Sequence, residues 1–215
     1  MKLLYLAPYC CACLGNVICC GLGRQLPRQV FKVALMPLLA YAYTLAAQPP
    51  ETLVLLALAM GWIGDLWLIR PNKTLPRTLG VVFFSLGHFC YLSAMLRRFP
   101  APPDAITLCA TAVFFLVVAV FLYCRLLPVM TADMRIPGGA YFLLLAALCV
   151  MSALLALSGV RGGWLLVPGA VLFLSSDTIL CYQFFTVGDP APKYDAVVML
   201  TYVLAQAFLL CGLCL

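Results

Sequence analysis

Two aspartates lie inside segments whose other residues are suited to the interior of a bilayer. Asp65 falls within LVLLALAMGWIGDLWLI, and Asp177 falls within WLLVPGAVLFLSSDTILCYQFF. A carboxylate at the centre of a membrane span costs roughly 2.5 to 3.5 kcal/mol on insertion scales, so we expect each to face the protein interior and to serve a function. Two carboxyl groups can divide the work of acid and base, and we predict that they share one site.

Other polar side chains fall at a similar depth in neighbouring segments. Ser85, His88 and Tyr91 are spaced i, i+3, i+6, so they share one helix face. Tyr202 and Gln206 are spaced i, i+4 and share another. The same layer also contains Asn16, Lys32, Ser175 and Ser176. We predict that these groups converge on one cavity.

A purely structural interpretation of these residues stays open. An aspartate or histidine in a membrane bundle can hydrogen-bond to a neighbouring helix, and glycines can simply allow helices to pack closely. The sequence also contains a weak internal similarity: Gly64-Asp65 is followed by His88, much as Ser176-Asp177 is followed by Tyr202. This pattern favours a weak four-plus-four parallel repeat.

The composition places these residues in an all-α, polytopic membrane helix bundle. Hydrophobic residues make up 66% of the 215 positions and charged residues only 9%, which excludes a soluble domain. A span needs about 20 apolar residues. We therefore predict one transmembrane domain, 1–215, with about eight spans: 3–22, 29–47, 51–69, 77–97, 104–125, 137–158, 163–185 and 194–214.

Basic residues are distributed as in a membrane protein and form no stripe for nucleic acid. The turns after odd-numbered spans carry Arg24, Arg28, Lys32, Arg70, Lys73, Arg77, Arg125, Arg135 and Lys193. The other side carries Lys2, Arg97, Arg98 and Arg161. Because cytoplasmic loops are enriched in Lys and Arg, this bias predicts both termini on the non-cytoplasmic side.

The twelve cysteines do not indicate a metal or redox centre. They include Cys10-x-x-Cys13 and Cys211-x-x-Cys214, but they lie in apolar helix without a second correctly spaced ligand pair. His88 is the only histidine, and the sequence contains no Gly-x-Ser-x-Gly elbow. We expect no cofactor, although a divalent ion between the two aspartates stays an alternative.

Four motifs together resemble the lysoplasmalogenase-like family of eight-span membrane proteins, also called the YhhN family. They are Gly64-Asp65-x-x-Leu68, Phe84-x-x-Gly87-His88-x-x-Tyr91, Gly169-Ala170-x-Leu172-Phe173-x-x-Ser176-Asp177 and Thr201-Tyr202-x-x-Ala205-Gln206. Their order and spacing are similar to those of the family, and they cover both halves of the chain. The family's Lys-Pro feature is present only as Lys32 and a separated Pro37.

The resemblance implies hydrolysis of the vinyl ether bond of lysoplasmalogens, which releases a fatty aldehyde and a glycerophospho-headgroup compound. The substrate would be a single-chain lysophospholipid taken from the membrane. Asp65 and Asp177 would be the catalytic pair, one protonated and one ionised. The supporting or substrate-binding residues would be His88, Tyr91, Ser176, Tyr202, Gln206, Lys32 and Asn16. The lipid phosphate would meet Lys32, Arg70, Lys73 or Arg77.

Two other functions are compatible with the same residues. A small proton-coupled transporter would use membrane aspartates and a histidine to relay protons or bind an ion. An inactive, scaffold-like family member would use them only for packing. The sequence leaves open which aspartate is the acid, whether the headgroup is ethanolamine or choline, and the oligomeric state.

Overall fold

The computed structural model describes residues 3–69, 74–101, 103–187 and 191–215, which form eight α-helices and no strand. A short 3₁₀ turn, Leu3–Leu6, precedes the first helix, and a π-helical turn, Gln183–Val187, follows the seventh. The helices are α1 (Ala7–Gly21), α2 (Gln25–Ala46), α3 (Thr52–Trp67), α4 (Thr74–Leu96), α5 (Ala105–Leu126), α6 (Ala132–Leu157), α7 (Gly163–Tyr182) and α8 (Pro192–Leu213).

The predicted all-α membrane bundle is confirmed. Seven helical segments of the described chain are long and apolar enough to cross a membrane, as expected for a multi-pass integral membrane protein. The exception is α3, whose 16 residues extend about 24 Å at 1.5 Å per residue. The side of the membrane on which the termini lie stays a prediction.

Apolar side chains cover the outside of the bundle, and polar side chains lie within it. Ile106 and Phe114 on α5 are 82% and 61% exposed, whereas Asn16 and Gln206 are almost fully buried. This arrangement is the reverse of that in a soluble protein, and it is stable only where acyl chains replace water. We expect α5 to face lipid along most of its length.

Helix packing brings the two halves of the chain into close contact. The best-packed pairs are α3 with α4 and α7 with α8, and α1 lies against α2 and α8. The Tyr9 hydroxyl donates a 2.7 Å hydrogen bond to the Val203 carbonyl, which fixes α1 against α8. A Cβ on Gly169 would lie 2.9 Å from the Leu209 backbone nitrogen, so only glycine permits this approach of α7 to α8.

The two ends of the bundle differ. The end formed by the starts of α2, α4, α6 and α8 carries two cavities, whereas the core of the opposite half is filled by buried Leu39, Leu58 and Met95. At that opposite end, Arg98 forms a 2.6 Å ion pair with Glu51 and donates to the Leu213 carbonyl. We call the end with these two cavities the cavity end.

Candidate active site

Asp65 is held near the end of α3 by groups from two other helices. Its side chain is only 3% exposed. The Tyr202 hydroxyl of α8 donates a 2.8 Å hydrogen bond to Oδ2, and the Lys32 Nζ of α2 lies 3.3 Å from Oδ1. A cation and a hydroxyl donor compensate the burial of the carboxylate, as a buried charge requires.

Tyr202 belongs to a polar network that continues deeper into the bundle. The Tyr91 hydroxyl of α4 donates a 2.7 Å hydrogen bond to Gln206 Oε1. A Cβ on Gly61 would lie 3.6 Å from Gln206 Nε2 and 3.7 Å from the Tyr202 hydroxyl. Both polar groups therefore pack against α3 at Gly61. Tyr91 of α4 and Gln206 of α8 therefore meet inside the bundle, while the prediction that all these polar groups converge on one cavity stays a prediction.

Asp177 lies on α7, and its carboxylate accepts a short hydrogen bond from the Tyr141 hydroxyl of α6. Within the described residues Asp177 forms no ion pair, in contrast to Asp65. Tyr141 was not among the predicted site residues. The internal repeat could have indicated it, because Tyr141 precedes Asp177 by one helix, much as Lys32 precedes Asp65.

Asp177 borders an apolar cavity, which we call the acid cavity. Its walls come from α3, α4, α6, α7 and the π-helical turn: Leu68, Arg77, Val81, Phe84, Met130, Met134, Gly138, Tyr141, Phe142, Asp177, Leu180, Cys181, Phe184 and Phe185. The space open to the centres of water molecules is about 70 Å³. Because one water needs roughly 10 to 15 Å³ on this measure, several atoms of a ligand can enter.

An aromatic cluster connects the surroundings of the two acids. Phe84 packs edge to face on Phe173 and Tyr202, with ring centroids 6.4 and 6.0 Å apart. Phe84 lines the acid cavity that Asp177 borders, and it also packs on Tyr202, which binds Asp65, so this ring contacts the surroundings of both acids. Asp65 is not among the described residues that line the cavity. Lys32 forms its ion pair with Asp65.

His88 supports the same cluster. Its Nδ1 lies 2.7 Å from the Phe84 carbonyl, and because a carbonyl can only accept, this nitrogen carries the hydrogen. The ring packs edge to face on Phe173 and Tyr141, at centroid distances of 4.4 and 5.6 Å. Nε2 is buried and has no hydrogen-bond partner in the described part of the chain. His88 therefore fixes the ring whose hydroxyl holds Asp177.

Several predicted residues bond to backbone and not to either acid. The Ser176 hydroxyl donates to the Val198 carbonyl at 3.1 Å, joining α7 to α8. Asn16 Nδ2 donates to the Arg28 carbonyl at 2.9 Å, joining α1 to the start of α2. Ser85 and Ser175 bond to carbonyls of their own helices. Arg70 and Lys73, predicted for the lipid phosphate, lie outside the described residues.

A second polar cluster at the cavity end was not predicted. Asp195, in the first turn of α8, forms a short ion pair with Arg28 and accepts a 2.7 Å hydrogen bond from Gln183 Nε2. The guanidinium of Arg77 lies 5.5 Å from the ring centres of both Phe184 and Phe185. An acid in the first turn of a helix is common because the helix dipole favours it there, so the sequence alone does not distinguish Asp195.

These groups can transfer protons and bind a partly apolar ligand. Within the residues described, no three of the His, Cys, Asp and Glu side chains come together as metal ligands.

The profile of the YhhN family matches residues 28–213. The chain belongs to the YhhN family. No curated protein and no solved structure matches it.

Membership in the YhhN family confirms the resemblance carried by the four motifs. The matched residues include both aspartates, Lys32, Tyr141 and the second polar cluster, whereas α1 precedes the matched range. Asn16 is therefore the one predicted site residue that lies outside the region matched to the YhhN family.

Proposed function

We propose that this YhhN protein is a membrane-embedded hydrolase that cleaves the vinyl ether bond of lysoplasmalogens. The observation that carries the proposal is the position of Asp177, which borders the apolar acid cavity and accepts a hydrogen bond from Tyr141. A vinyl ether is hydrolysed by protonation of its β-carbon, which requires a positioned acid in an apolar site. The acid cavity provides such a site for the first atoms of an alkenyl chain.

Asp177 and Asp65 differ in their neighbours, and this difference suggests their roles. Asp65 is paired with the Lys32 ammonium, which favours its ionised form. Asp177 accepts a hydrogen bond from Tyr141 through one oxygen and has an apolar wall beside it. We therefore assign the proton donor to Asp177 and the ionised carboxylate to Asp65.

The reaction balances with these two groups and one water. The Asp177 proton moves to the β-carbon, and the electron pair of the double bond forms the new C–H bond. The α-carbon becomes an oxocarbenium ion, which the negative charge of Asp65 stabilises across the aromatic cluster. Water adds to that carbon and returns a proton to Asp177. In the last step the hemiacetal hydroxyl loses its proton and forms the C=O bond, while the bond to the glycerol oxygen breaks and that oxygen takes up a proton, which gives an aldehyde and an alcohol.

The filled opposite half of the bundle supports an enzyme more than a carrier. A carrier needs access from both sides of the membrane, and Leu39, Leu58 and Met95 are almost fully buried between the site and the far end. The lipid substrate, in contrast, needs access from the cavity end only.

The test is turnover by purified protein in detergent or in vesicles. We expect release of a fatty aldehyde from a 1-alkenyl lysophospholipid, and no product from the saturated 1-alkyl ether, because a saturated carbon cannot accept the proton. In D₂O the aldehyde, trapped by immediate reduction, should carry one deuterium on the former β-carbon. A slower rate in D₂O should accompany it, since protonation of carbon limits such reactions.

Two results would overturn the proposal. One is the absence of aldehyde with every 1-alkenyl headgroup tested, while the protein remains folded by thermal unfolding. The other is solute uptake into protein-containing vesicles that depends on Asp65 and Asp177 without any aldehyde release, which would identify a carrier.

A further inference from the structure

A second cavity lies beside the acid cavity at the cavity end, and we call it the polar pocket. Its polar walls are Arg28, Gln29, Lys32, Gln183 and Asp195. It shares Leu68, Leu180 and Phe184 with the acid cavity, so these three side chains form the partition between the two spaces. One apolar and one polar compartment with a common wall match the two parts of a single-chain phospholipid.

The charges on the described residues around the polar pocket balance. Arg28 is paired with Asp195, and Lys32 is paired with Asp65. Among the described residues, two positive and two negative groups give little net field, which suits a zwitterionic headgroup with one phosphate and one ammonium.

Gln183 supplies the decisive observation. Its side chain is only 1% exposed, and its Nε2 donates to Asp195 Oδ1 at 2.7 Å. The orientation of the amide is fixed, because the reverse orientation would place two oxygens against each other. Gln183 Oε1 therefore faces away from Asp195, and it is buried without a partner in the described part of the chain. A buried acceptor of this kind requires an N–H or O–H donor.

We propose that the polar pocket binds the primary ammonium of an ethanolamine headgroup, with Gln183 Oε1 as the acceptor that distinguishes it from choline. The inference rests on the proposed function, since it names the substrate of the same site. Ethanolamine carries N–H donors, whereas the quaternary ammonium of choline has none.

The size of the pocket agrees with this choice. Its space for the centres of water molecules is about 40 Å³, roughly that of three waters. An –NH₃⁺ group is close to water in size, while a trimethylammonium group is much larger. The π-helical turn begins at Gln183. We attribute the inward direction of the buried Gln183 side chain to this widened turn.

The experiment compares the two headgroups on the full-length protein in two independent assays. The first measures kcat/KM for 1-alkenyl lysophosphatidylethanolamine and 1-alkenyl lysophosphatidylcholine. The second measures binding of the corresponding 1-acyl lysolipids, which have no vinyl ether. We expect the ethanolamine forms to be favoured about tenfold in both, as expected when one buried acceptor gains or lacks its donor.

Gln183→Met retains the length of the side chain and removes Oε1, so it should reduce the preference to about twofold or less. Gln25→Met, at the start of α2 and outside both cavities, is the matched control and should leave the ratio unchanged. If Gln183→Met fails to fold, competition by glycerophosphoethanolamine and glycerophosphocholine on the unaltered protein replaces it. Stronger competition by the ethanolamine compound is then expected.

Equal binding of the two headgroups by the unaltered protein would overturn the inference, as would a preference that Gln183→Met leaves intact. These outcomes are separate from those that test the hydrolase. If the ethanolamine lysolipid binds preferentially but no aldehyde is released, the headgroup site stands and the reaction proposed above fails. Aldehyde release at equal rates from both substrates gives the opposite conclusion. Direct binding of the tail-free glycerophosphoethanolamine, with no binding of either lysolipid, would identify a soluble ligand and would also overturn it.

Discussion

Asp65 on α3 and Asp177 on α7 are each met by a side chain from the helix that precedes theirs, Lys32 of α2 and Tyr141 of α6. Their surroundings then differ. Asp65 has an ammonium and a hydroxyl as partners and does not border a cavity in the described structure, whereas Asp177 has one hydroxyl and borders the acid cavity. Similar positions in the two halves therefore surround Asp65 with an ammonium and a hydroxyl, and leave Asp177 beside a cavity that a ligand can enter.

The last helix of each half supports the acid of the other half. Tyr202 of α8 binds Asp65, and His88 of α4 packs on Tyr141, which binds Asp177. This exchange agrees with the four-plus-four repeat that the sequence favours, which itself stays a prediction. It also implies that neither half forms a complete site alone.

The largest effect should come from removing the proposed proton donor. Asp177→Asn cannot donate an acidic proton, and we expect aldehyde release to fall about a thousandfold, within the range for general acid catalysis. Asp65→Asn removes only a stabilising charge, so the loss should be nearer a hundredfold. Initial rates per folded molecule measure both.

Asp133→Asn is the matched control for this pair, because Asp133 is exposed in the first turn of α6 and should tolerate the change. Full activity of Asp177→Asn would remove its assigned role. A greater loss with Asp65→Asn than with Asp177→Asn would exchange the two roles.

Removing the Lys32 ammonium tests the surroundings of Asp65, the charged member of the two acids. Lys32→Met leaves a buried carboxylate without its counter-charge, and it should lower the free energy of unfolding by roughly 3 kcal/mol. Activity should fall with it, because an uncompensated Asp65 takes up a proton and loses its charge. Thermal unfolding in detergent, together with aldehyde release, measures the two effects.

The double variant Lys32→Met/Asp65→Asn should recover most of the stability and none of the activity, since no charge is then left unpaired. Lys193→Met, on an exposed lysine at the start of α8, should change neither property. If the single variant Lys32→Met were as stable as the unaltered protein, the ion pair would have no structural role.

A pair of tyrosine variants compares the two acids with the same chemical change. Tyr141→Phe removes the hydroxyl that Asp177 accepts, and Tyr202→Phe removes one of two partners of Asp65. Hydrogen bonds to charged or acidic groups contribute about 1.5 to 3 kcal/mol, so we expect kcat to fall about thirtyfold for Tyr141→Phe. Tyr202→Phe should cost about fivefold, because Lys32 still holds Asp65.

Tyr123→Phe is the control, since the Tyr123 hydroxyl bonds to the Arg135 carbonyl at the edge of the bundle. The expected difference between Tyr141 and Tyr202 would be contradicted if both variants lost activity equally.

The fold could be predicted from the sequence because span length and apolar composition determine it. Asp65 and Asp177 were also recognisable, since a charge inside a membrane span is conspicuous. Tyr141 was missed because a tyrosine in an apolar helix has no distinctive cost, and only its hydrogen bond to Asp177 gives it meaning. Gln183 and Asp195 were missed because they lie at helix ends, where polar residues are ordinary; their burial becomes visible only when α7 and α8 pack.

Asn16 illustrates the converse. Its depth matched that of the acids, but depth along a helix does not specify the direction in which a side chain points. In the folded chain the Asn16 Nδ2 donates to the Arg28 carbonyl, and the Asn16 Oδ1 accepts from the Cys20 thiol. Neither bond involves Asp65. Sequence periodicity gives the relative angles of residues on one helix, and only packing gives the orientation of that helix.

The smallest effect concerns the Phe84 ring, which lines the acid cavity and packs on Tyr202. A Cβ on Gly64 would lie 2.8 Å from the Phe84 ring, whereas a Cβ on Gly169 would lie 2.9 Å from the Leu209 backbone nitrogen. A ring can turn, but a backbone atom cannot move without its helix. Gly64→Ala should therefore displace Phe84 into the acid cavity and raise KM about threefold with little loss of stability, while Gly169→Ala should cost about 1 to 3 kcal/mol of stability.

Measuring KM and thermal unfolding for both alanine variants distinguishes these outcomes. If Phe84 only fills space, Gly64→Ala and Gly169→Ala will both lower stability and leave KM unchanged. If Phe84 is a movable wall of the acid cavity, only Gly64→Ala will raise KM. Gly64 faces the Phe84 ring, whereas Gly169 faces α8. A further change Phe84→Leu on the Gly64→Ala background should then restore KM, since the smaller side chain no longer meets the added methyl group.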